Sequence, residues 1–533
     1  LGLGSSDTAP PADTIGGGDP GLPPPPAPEG AGERPVTKRC VGNPPRQTED
    51  PLSPPCVAHF EGDNGGATHQ GVTGDQIVVL MYADPVAYAP GPDEWPSWWD
   101  LGAPPEGEEP RRIVNMRAFQ RYFNERYQLY GRDVRFIVHV SNITSSGENA
   151  AGDAATPENR AADAANDYAT YEPFAVLTSQ LVYGNEDVYI QHMVNRGVMS
   201  FGVRGTRERS IYQTAPGLIW SYFPTLDRQT DLFASLLCDR VIPHPVSYSG
   251  NGDDGQDREL GLVGTREESE PNRRRFRELT EQKVDACGGV WAERATTRNH
   301  GNILHGPEDD TEAIQSMSRF QQAGVTSVVV AQGYETALSA AAKNLDYYPE
   351  WVVAGDGFTD GEGGARWQDQ DVWQHARVVT NITLIPEDEE QQPCHRAIRE
   401  ASPSHRDDYR GTACNADNTY NDLRQLFTGI QVAGPRLTPE SIEQGFRAIP
   451  SHRSTDPSVP ACFYEPGDYT CVKDATVEWW DPGNGQEGQA NDGCWRMTGG
   501  GARFLEGAWP EGNVDDRESP DDPCNNFTGQ AFL

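Results

Sequence analysis

Ten cysteines are the residues of this 533-residue chain whose type and spacing point most directly to chemistry. None belongs to a Cys-x-x-Cys pair or lies near histidine at zinc-site spacing. An even count without metal spacing predicts disulfides between neighbours in sequence. The alternative is a set of buried thiols, because connectivity does not follow from sequence. The expected pairs are Cys40 with Cys56, Cys238 with Cys287, Cys394 with Cys414, Cys462 with Cys471, and Cys494 with Cys524.

The sequence has no clear catalytic or cofactor-binding motif, and its candidate metal-binding motifs have unsuitable spacing. There is no GxSxG elbow, HExxH helix, P-loop or strand-linked GxGxxG motif. His300 and His305 lie beside glycines, which favours a loop over a metal clamp. Acidic glycine segments at 62–66, 251–257 and 356–364 carry oxygen ligands suited to calcium, but none has EF-hand spacing. We therefore expect no enzymatic activity, no cofactor and no metal site.

The charge balance excludes one class of partner. The chain has 43 Lys and Arg against 80 Asp and Glu, a formal charge of −37. This excess opposes binding to phosphate backbones, so no nucleic-acid partner is expected. No window reaches the ~18 consecutive apolar residues of a membrane helix. Together with the predicted disulfides, this favours an extracytoplasmic protein, secreted or tethered at the cell envelope.

The first 70 residues differ in composition from those that follow. Residues 1–39 contain nine Pro and eight Gly, with almost no large apolar side chains. Such a segment buries too little surface to offset its ordering entropy and predicts a disordered tether. The alternative is a plain terminal tail. Residues 40–70 are expected to form an extension clamped by their two cysteines.

From residue 71 the sequence alternates between strand and helix patterns. Short apolar runs indicate strands buried on both faces, and helical spacing of apolar residues indicates amphipathic helices. The first set has strands at 76–82, 134–140, 174–177 and 198–202 and helices at 113–130, 159–171 and 188–195. The second set has strands at 259–263, 291–295, 325–331 and 351–354 and helices at 227–239, 268–283, 311–323 and 334–344. Two such sets predict two α/β lobes, each with a mostly parallel sheet flanked by helices.

Six segments identify a family resemblance. They are GVTGDQIVVLMYADP (71–85), MRAFQRYFNERYQLYGRDVRFIV (116–138), EPFAVLTSQ (172–180), HMVNRGVMSFG (192–202), FQQAGVTSVVVAQGYETALSAAAKNLDYYPEWVVAGDGF (320–358) and YNDLRQLFTGIQVAG (420–434). In this order, over about residues 71–450, they resemble the type I periplasmic binding proteins, specifically the leucine/isoleucine/valine receptors of ABC importers. The resemblance implies a two-lobed fold with three crossovers, near 212–216, 384–386 and 449–457.

The resemblance also sets the expected domain boundaries, because both lobes are assembled from separate segments. Lobe one is expected to comprise 71–213 with 387–450, and lobe two 214–386 with 451–490. Residues 491–533 are expected to form a disulfide-braced tail.

In this family the ligand lies between the lobes, so its contacts are expected on loops that follow the strands. In lobe one these loops contain Tyr82, Asp84, Thr178, Ser179, Gln180, Val203 and Arg204. Thr178 and Ser179 suit a ligand oxyanion, or else they cap the following helix. Arg204 would pair with a ligand acid, or else lie solvated at the surface.

The corresponding loops of lobe two contain Gln332, Tyr334, Glu335 and Asp356. Tyr334 would form a wall of the cleft, and either acid would pair with a ligand amine. The alternative role of Asp356 is to hold a glycine-aspartate turn.

An aromatic insertion at 85–112 contains Tyr88, Trp95, Trp98 and Trp99. At the mouth of the cleft these rings would suit a bulky, cyclic or cationic ligand. The alternative is a hydrophobic cluster that covers one lobe.

These observations predict an extracytoplasmic solute-binding protein that closes two lobes on a small molecule and delivers it to an ABC-type permease. The expected ligand is an amino acid, an amide or a bulkier apolar or cyclic solute, and a monomer is expected. The alternative on the same fold is a ligand-sensing or cell-surface interaction protein.

Overall fold

The computed structural model describes most of the chain. The described residues are 31–35, 40–43, 45–85, 96–105, 107–144, 153–180, 185–203, 207–266, 271–297, 311–332, 336–357, 359–385, 392–402, 419–451, 454, 456–483 and 493–526. Most of the predicted tether at 1–39 therefore lies outside the described residues.

The first lobe begins with the N-terminal extension and a parallel sheet. Its strands are β1 (Ala31–Pro35), β2 (Cys40–Val41), β3 (Arg46–Gln47), β4 (Ala58–Phe60), β5 (Gln76–Ala83), β6 (Trp98–Asp100), β7 (Asp133–Val140), β8 (Ile143–Thr144), β9 (Asp153–Ala154), β10 (Ala175–Gln180) and β11 (Met199–Phe201). Its helices are α1 (Arg111–Arg126), α2 (Pro157–Tyr171), α3 (Glu186–Val194) and α4 (Arg209–Thr214). Among the described residues, the main sheet runs β11-β10-β5-β7-β6, parallel except for the edge strand β6.

The second lobe is built on a larger sheet. Its helices are α5 (Leu226–Leu236), continued by a π-helical turn (Leu237–Val241), α6 (Pro271–Ala286), α7 (Thr311–Gln322), α8 (Thr336–Asn344), α9 (Glu362–Arg366) and α10 (Gln370–Trp373). Its strands are β12 (Leu260–Thr265), β13 (Trp291–Thr297), β14 (Ser327–Val330), β15 (Glu350–Ala354), β16 (Ala376–Thr380), β17 (Thr476–Asp481), β18 (Cys494–Met497) and β19 (Cys524–Asn525). In the described chain these eight strands run β13-β12-β14-β15-β16-β17-β18-β19, and the last three are antiparallel.

Three later helices return to the first lobe: α11 (Pro393–Ala401), α12 (Thr419–Ala433) and α13 (Pro439–Ala448). Helix α13 begins with a capping box between Thr438 and Ser441, which satisfies its first free N–H groups. Phe427 of α12 packs against Phe123 of α1, with ring centroids 4.9 Å apart, in the main core of lobe one. The first lobe is therefore completed by residues more than 300 positions after its first strand.

Three adjoining segments run between the two lobes, and their described residues are 218–225, then 381–385 with 392, then 449–451, 454 and 456–475. The first and third pair through an isolated parallel bridge between Ser221 and Thr470. The second lies beside the first, where the hydroxyls of Tyr222 and Thr383 are 3.1 Å apart. The predicted first crossover at 212–216 overlaps the end of α4 at Thr214.

The described N-terminal extension and the described C-terminal strands both pack on the lobes. In the extension, Asp50 pairs with Arg424 of α12 at 2.8 Å, and both side chains are buried. Residues predicted to form a tail add β18 and β19 to the sheet of lobe two. Beyond β19, the backbone N–H of Asn526 donates to the carbonyl of Ile385 in the second crossover.

Four of the predicted disulfides join described cysteines: Cys40–Cys56, Cys238–Cys287, Cys462–Cys471 and Cys494–Cys524. Cys394 is also disulfide-bonded, and its expected partner Cys414 lies outside the described residues. The described part of the chain includes no helix with the length and apolar character needed to cross a bilayer.

Candidate ligand-binding site

The candidate site is the set of loops that follow the parallel strands of the two sheets. Parallel strands all end at one edge of a sheet, where open α/β sheets bind their ligands. In lobe one, β5, β10 and β11 end at this edge, and in lobe two β12, β14 and β15 do so.

Two hydroxyl residues lie at the end of β10. Thr178 is buried, and its Oγ1 lies 3.3 Å from the carbonyl oxygen of Gly202. Ser179 is 5% exposed, and among the described residues its Oγ has no hydrogen-bond partner. A buried hydroxyl without a partner is costly, so an added ligand or water would stabilise it. Ser179 therefore carries the strongest sign of a ligand contact in lobe one.

A carboxylate that the sequence did not single out approaches the same place. Asp422, in the first turn of α12, is buried. A Cβ atom built on Gly202 would stand 2.7 Å from Asp422 Oδ2 and 3.1 Å from Ser179 Cβ. Glycine at 202 therefore leaves room between these two side chains, and its positive φ of 70° also favours glycine. Acids are common in first helical turns, so no local signal identified Asp422.

Tyr82 and Asp84, at the end of β5, are bonded inside their own lobe. Asp84 forms a buried two-point ion pair with Arg160 of α2, at 2.7 and 3.1 Å. The Tyr82 hydroxyl donates to Asp163 at 2.5 Å, and burial raises the pKa of Tyr82. Both residues were expected to face the ligand. Their side chains instead join β5 to α2, because Arg160 requires a buried partner.

The aromatic insertion also packs on the lobe. Trp98, in β6, stacks on His139 with ring centroids 3.9 Å apart, and Trp99 lies in the core of lobe one. An oxygen of the Asp167 carboxylate lies 2.9 Å from Nδ1 of His139. This arrangement favours the covering-cluster alternative for the two tryptophans. Tyr88 and Trp95 lie outside the described residues.

In lobe two, Gln332 follows β14 with a left-handed φ of 53°. Its Nε2 donates to Gln229 Oε1 at 2.9 Å, and Gln229 Nε2 donates to the carbonyl of Gly355 at 2.8 Å. The chain of amides links the ends of β14 and β15 to the first turns of α5. The sequence does not identify Gln229 as a site residue, because glutamine is common on the solvent-exposed faces of helices.

Asp356 accepts hydrogen bonds from the backbone N–H and the hydroxyl of Thr359, at 3.0 and 3.2 Å. It also pairs with Arg273 of α6 at 2.8 Å. These contacts agree with the alternative role of Asp356, which is to hold the turn. Burial and the nearby charge of Asp356 raise the pKa of Asp360 to about 6.

The remaining predicted ligand contacts are Gln180, Val203, Arg204, Tyr334 and Glu335. Val203 is buried in the core of lobe one. Gln180 ends β10, and Arg204, Tyr334 and Glu335 lie outside the described residues. Over the described ranges, no three His, Cys, Asp or Glu side chains are grouped to hold a metal ion.

Comparisons with known proteins identify the architecture. No family model and no curated protein matches the chain, whereas solved structures do. The leucine-, isoleucine-, valine-, threonine- and alanine-binding protein of Brucella ovis, in a closed conformation, is 8% identical with a TM-score of 0.51. That match covers 84% of this chain and all of the other.

Two further structures agree. A branched-chain amino acid ABC transporter periplasmic ligand-binding protein of Burkholderia xenovorans is 9% identical, with a TM-score of 0.52, over 81% of this chain and 96% of the other. An ABC transporter substrate-binding protein of Aeropyrum pernix is 10% identical, with a TM-score of 0.50, over 85% and 99%. The chain has the two-lobed type I periplasmic binding-protein fold, as the sequence predicted.

Proposed function

We propose that this chain is an extracytoplasmic solute-binding protein that captures a small molecule between its lobes and delivers it to an ABC-type permease. The observation that carries the proposal is the buried, unpartnered hydroxyl of Ser179 beside Asp422, at the strand ends of a two-lobed fold. The structures that share this fold are named as binding proteins of ABC transporters. The disulfides support a location outside the cytoplasm.

Closure would follow from ligand contacts that exist only when the lobes meet. Ser179 and Asp422 belong to lobe one, and Gln332 belongs to lobe two. A ligand that bridges them shifts the equilibrium towards the closed form. The three crossovers are the hinge, and no covalent chemistry is required.

The chemistry of these groups favours a small polar ligand. A carboxylate, a hydroxyl and an amide together suit an ammonium or amide group, as an amino acid or amide provides. Thr178, Gln180, Arg204, Tyr334 and Glu335 complete the proposed set. Because Trp98 and Trp99 pack on lobe one, they no longer support a bulky cyclic ligand.

The test begins with native mass spectrometry of protein purified from its source, to identify a co-purified small molecule. A thermal-shift screen of amino acids, amides and cyclic compounds then selects a ligand for calorimetry. Ser179→Ala should weaken its binding about tenfold, the loss of roughly one hydrogen bond. Ser200→Ala is the matched control, because Ser200 also has a buried hydroxyl without a described partner but lies inside β11.

Equal affinity in the two variants would contradict the assignment of Ser179, and a screen without any stabilising compound would contradict solute binding itself. Size-exclusion chromatography with and without the ligand tests the transport role. A monomer in both conditions is expected, and a ligand-dependent dimer would favour a sensor.

A further inference from the structure

A small cavity lies outside the candidate site, where the N-terminal extension meets the hinge. Its volume is about 30 Å³. Arg46 and Leu52 of the extension form one side, and Arg424 and Gln425 of α12 form another. Tyr222 of the first crossover and Tyr464 of the third complete its lining. The cavity is therefore bounded by lobe one and by two of the segments that connect the lobes, and it is partly open to solvent.

The charge around this cavity is unbalanced. Asp50 neutralises Arg424 through the buried ion pair at 2.8 Å. Arg46 is half-buried, and among the described residues its side chain bonds only to the backbone carbonyl of Ser53, at 2.8 Å. Burial lowers the pKa of Arg46, and no described carboxylate opposes that effect. A guanidinium withdrawn from water without a counter-charge is costly, so an anion bound beside it would stabilise the fold.

A second donor faces the same space. The Tyr464 hydroxyl accepts a hydrogen bond from Gln425 Nε2 at 2.9 Å, which leaves its own hydrogen to donate. No described protein group accepts that hydrogen. The nearby Gln425 Oε1 is buried and, within the described chain, has no partner. A water molecule beside an anion would donate to it.

The size of the cavity limits the occupant. One water requires roughly 10 to 15 Å³ of such space, so about 30 Å³ accommodates one small ion and one water. A monovalent anion matches the single uncompensated charge.

We propose that this cavity is a second binding site, for a small monovalent anion of about the size of chloride, and that it is linked to the hinge. The link follows from its walls, because Tyr222 and Tyr464 belong to segments that must bend when the lobes close. Leu52 packs against the cluster of Tyr222, Cys471 and Val472 in these segments. Anion occupancy therefore favours one hinge position over the other.

The test needs no transported solute, so its outcome is independent of the proposed function. Crystals of the full chain are soaked in bromide, and anomalous scattering locates the ion. In solution, thermal unfolding is followed in sodium chloride and in sodium gluconate at equal ionic strength and pH. Chloride at ten times its dissociation constant should lower the unfolding equilibrium constant about elevenfold.

Arg46→Gln should abolish the chloride effect and the bromide peak. Tyr464→Phe, which keeps the packing and removes the donor, should weaken both. Arg436→Gln removes the same charge at an exposed position and should respond like the wild type. The proposal is overturned if bromide does not occupy the cavity, or if Arg46→Gln and Tyr464→Phe both keep the full chloride effect.

Discussion

Replacing Glu478 by glutamine should remove a pH dependence from the stability of the protein. Glu478 lies in β17 and is fully buried. Its Oε1 accepts a hydrogen bond from Asn525 at 2.7 Å, whereas its Oε2 has no partner among the described residues. Burial, with the nearby charges of Asp360 and Glu362, raises the pKa of Glu478 to about 8, against the opposing charge of Arg503.

The direction of this pH dependence is set by the difference between the pKa of Glu478 in the folded chain and its pKa in the unfolded chain. An unfolded glutamate has a pKa of 4.5, and folding raises that of Glu478 to about 8. Between these values the folded chain keeps a proton that the unfolded chain has lost, so stability decreases as the pH rises. The stability that Glu478 contributes by keeping its proton is complete below about pH 4.5 and is lost above about pH 8. Each pKa unit corresponds to about 1.4 kcal/mol, so from pH 5.5 to 8.5 the wild type should lose about 3 kcal/mol relative to Glu478→Gln.

The assay is urea unfolding followed by circular dichroism at half-unit steps between pH 5 and 9. Only the difference between wild type and variant is used, which removes the separate contribution of Glu518, whose pKa is also raised. Glu511→Gln, at an exposed position of the same lobe, is the control and should follow the wild type. Parallel curves for the wild type and Glu478→Gln would refute the assignment of a buried, protonated carboxyl.

Three further predictions concern packing and covalent links. Asp84→Asn should lower the free energy of unfolding by about 3 kcal/mol, because it removes the negative charge that neutralises the buried Arg160 guanidinium. Chemical denaturation measures this, and an unchanged midpoint would contradict it. Trp98→Ala should lower the free energy of unfolding by about 1 kcal/mol through the lost ring stacking. Its solute affinity, measured by calorimetry, should be unchanged, and a loss of affinity would place Trp98 at the ligand. Replacing both Cys238 and Cys287 by alanine should destabilise lobe two by about 4 kcal/mol, because their disulfide closes a loop with a sequence separation of 49; an unchanged melting temperature in calorimetry would contradict this.

The repeating strands and helices were predictable because their signals are local. The apolar run at 76–82 corresponds to β5, Gln76–Ala83, and the helical spacing at 311–323 corresponds to α7, Thr311–Gln322. Strand β17 was missed because its buried acid, Glu478, interrupts the apolar pattern. The pairing that makes it a strand involves β16 and β18, which are remote in sequence.

The site was predictable only as a set of loops. Strand ends located Thr178, Ser179 and Gln332, but the direction of a side chain depends on distant partners. Asp84 turns inward because Arg160, 76 residues later, lies against it. Asp422 approaches Gly202 from a helix 220 positions further along the chain, which no local pattern encodes.

The interwoven lobes also determine when the protein can finish folding. The Asp50–Arg424 pair joins residues 374 positions apart, and the sheet of lobe two ends with Cys524–Asn525. During synthesis, lobe one therefore keeps apolar faces uncovered until α12 and α13 have emerged, and lobe two does so until β19 has emerged, which exposes both to aggregation. The disulfides between described cysteines behave differently, because they link positions only 9 to 49 residues apart. Once the chain reaches an oxidising compartment, each can therefore form without waiting for the last strands and helices of the lobes to pack.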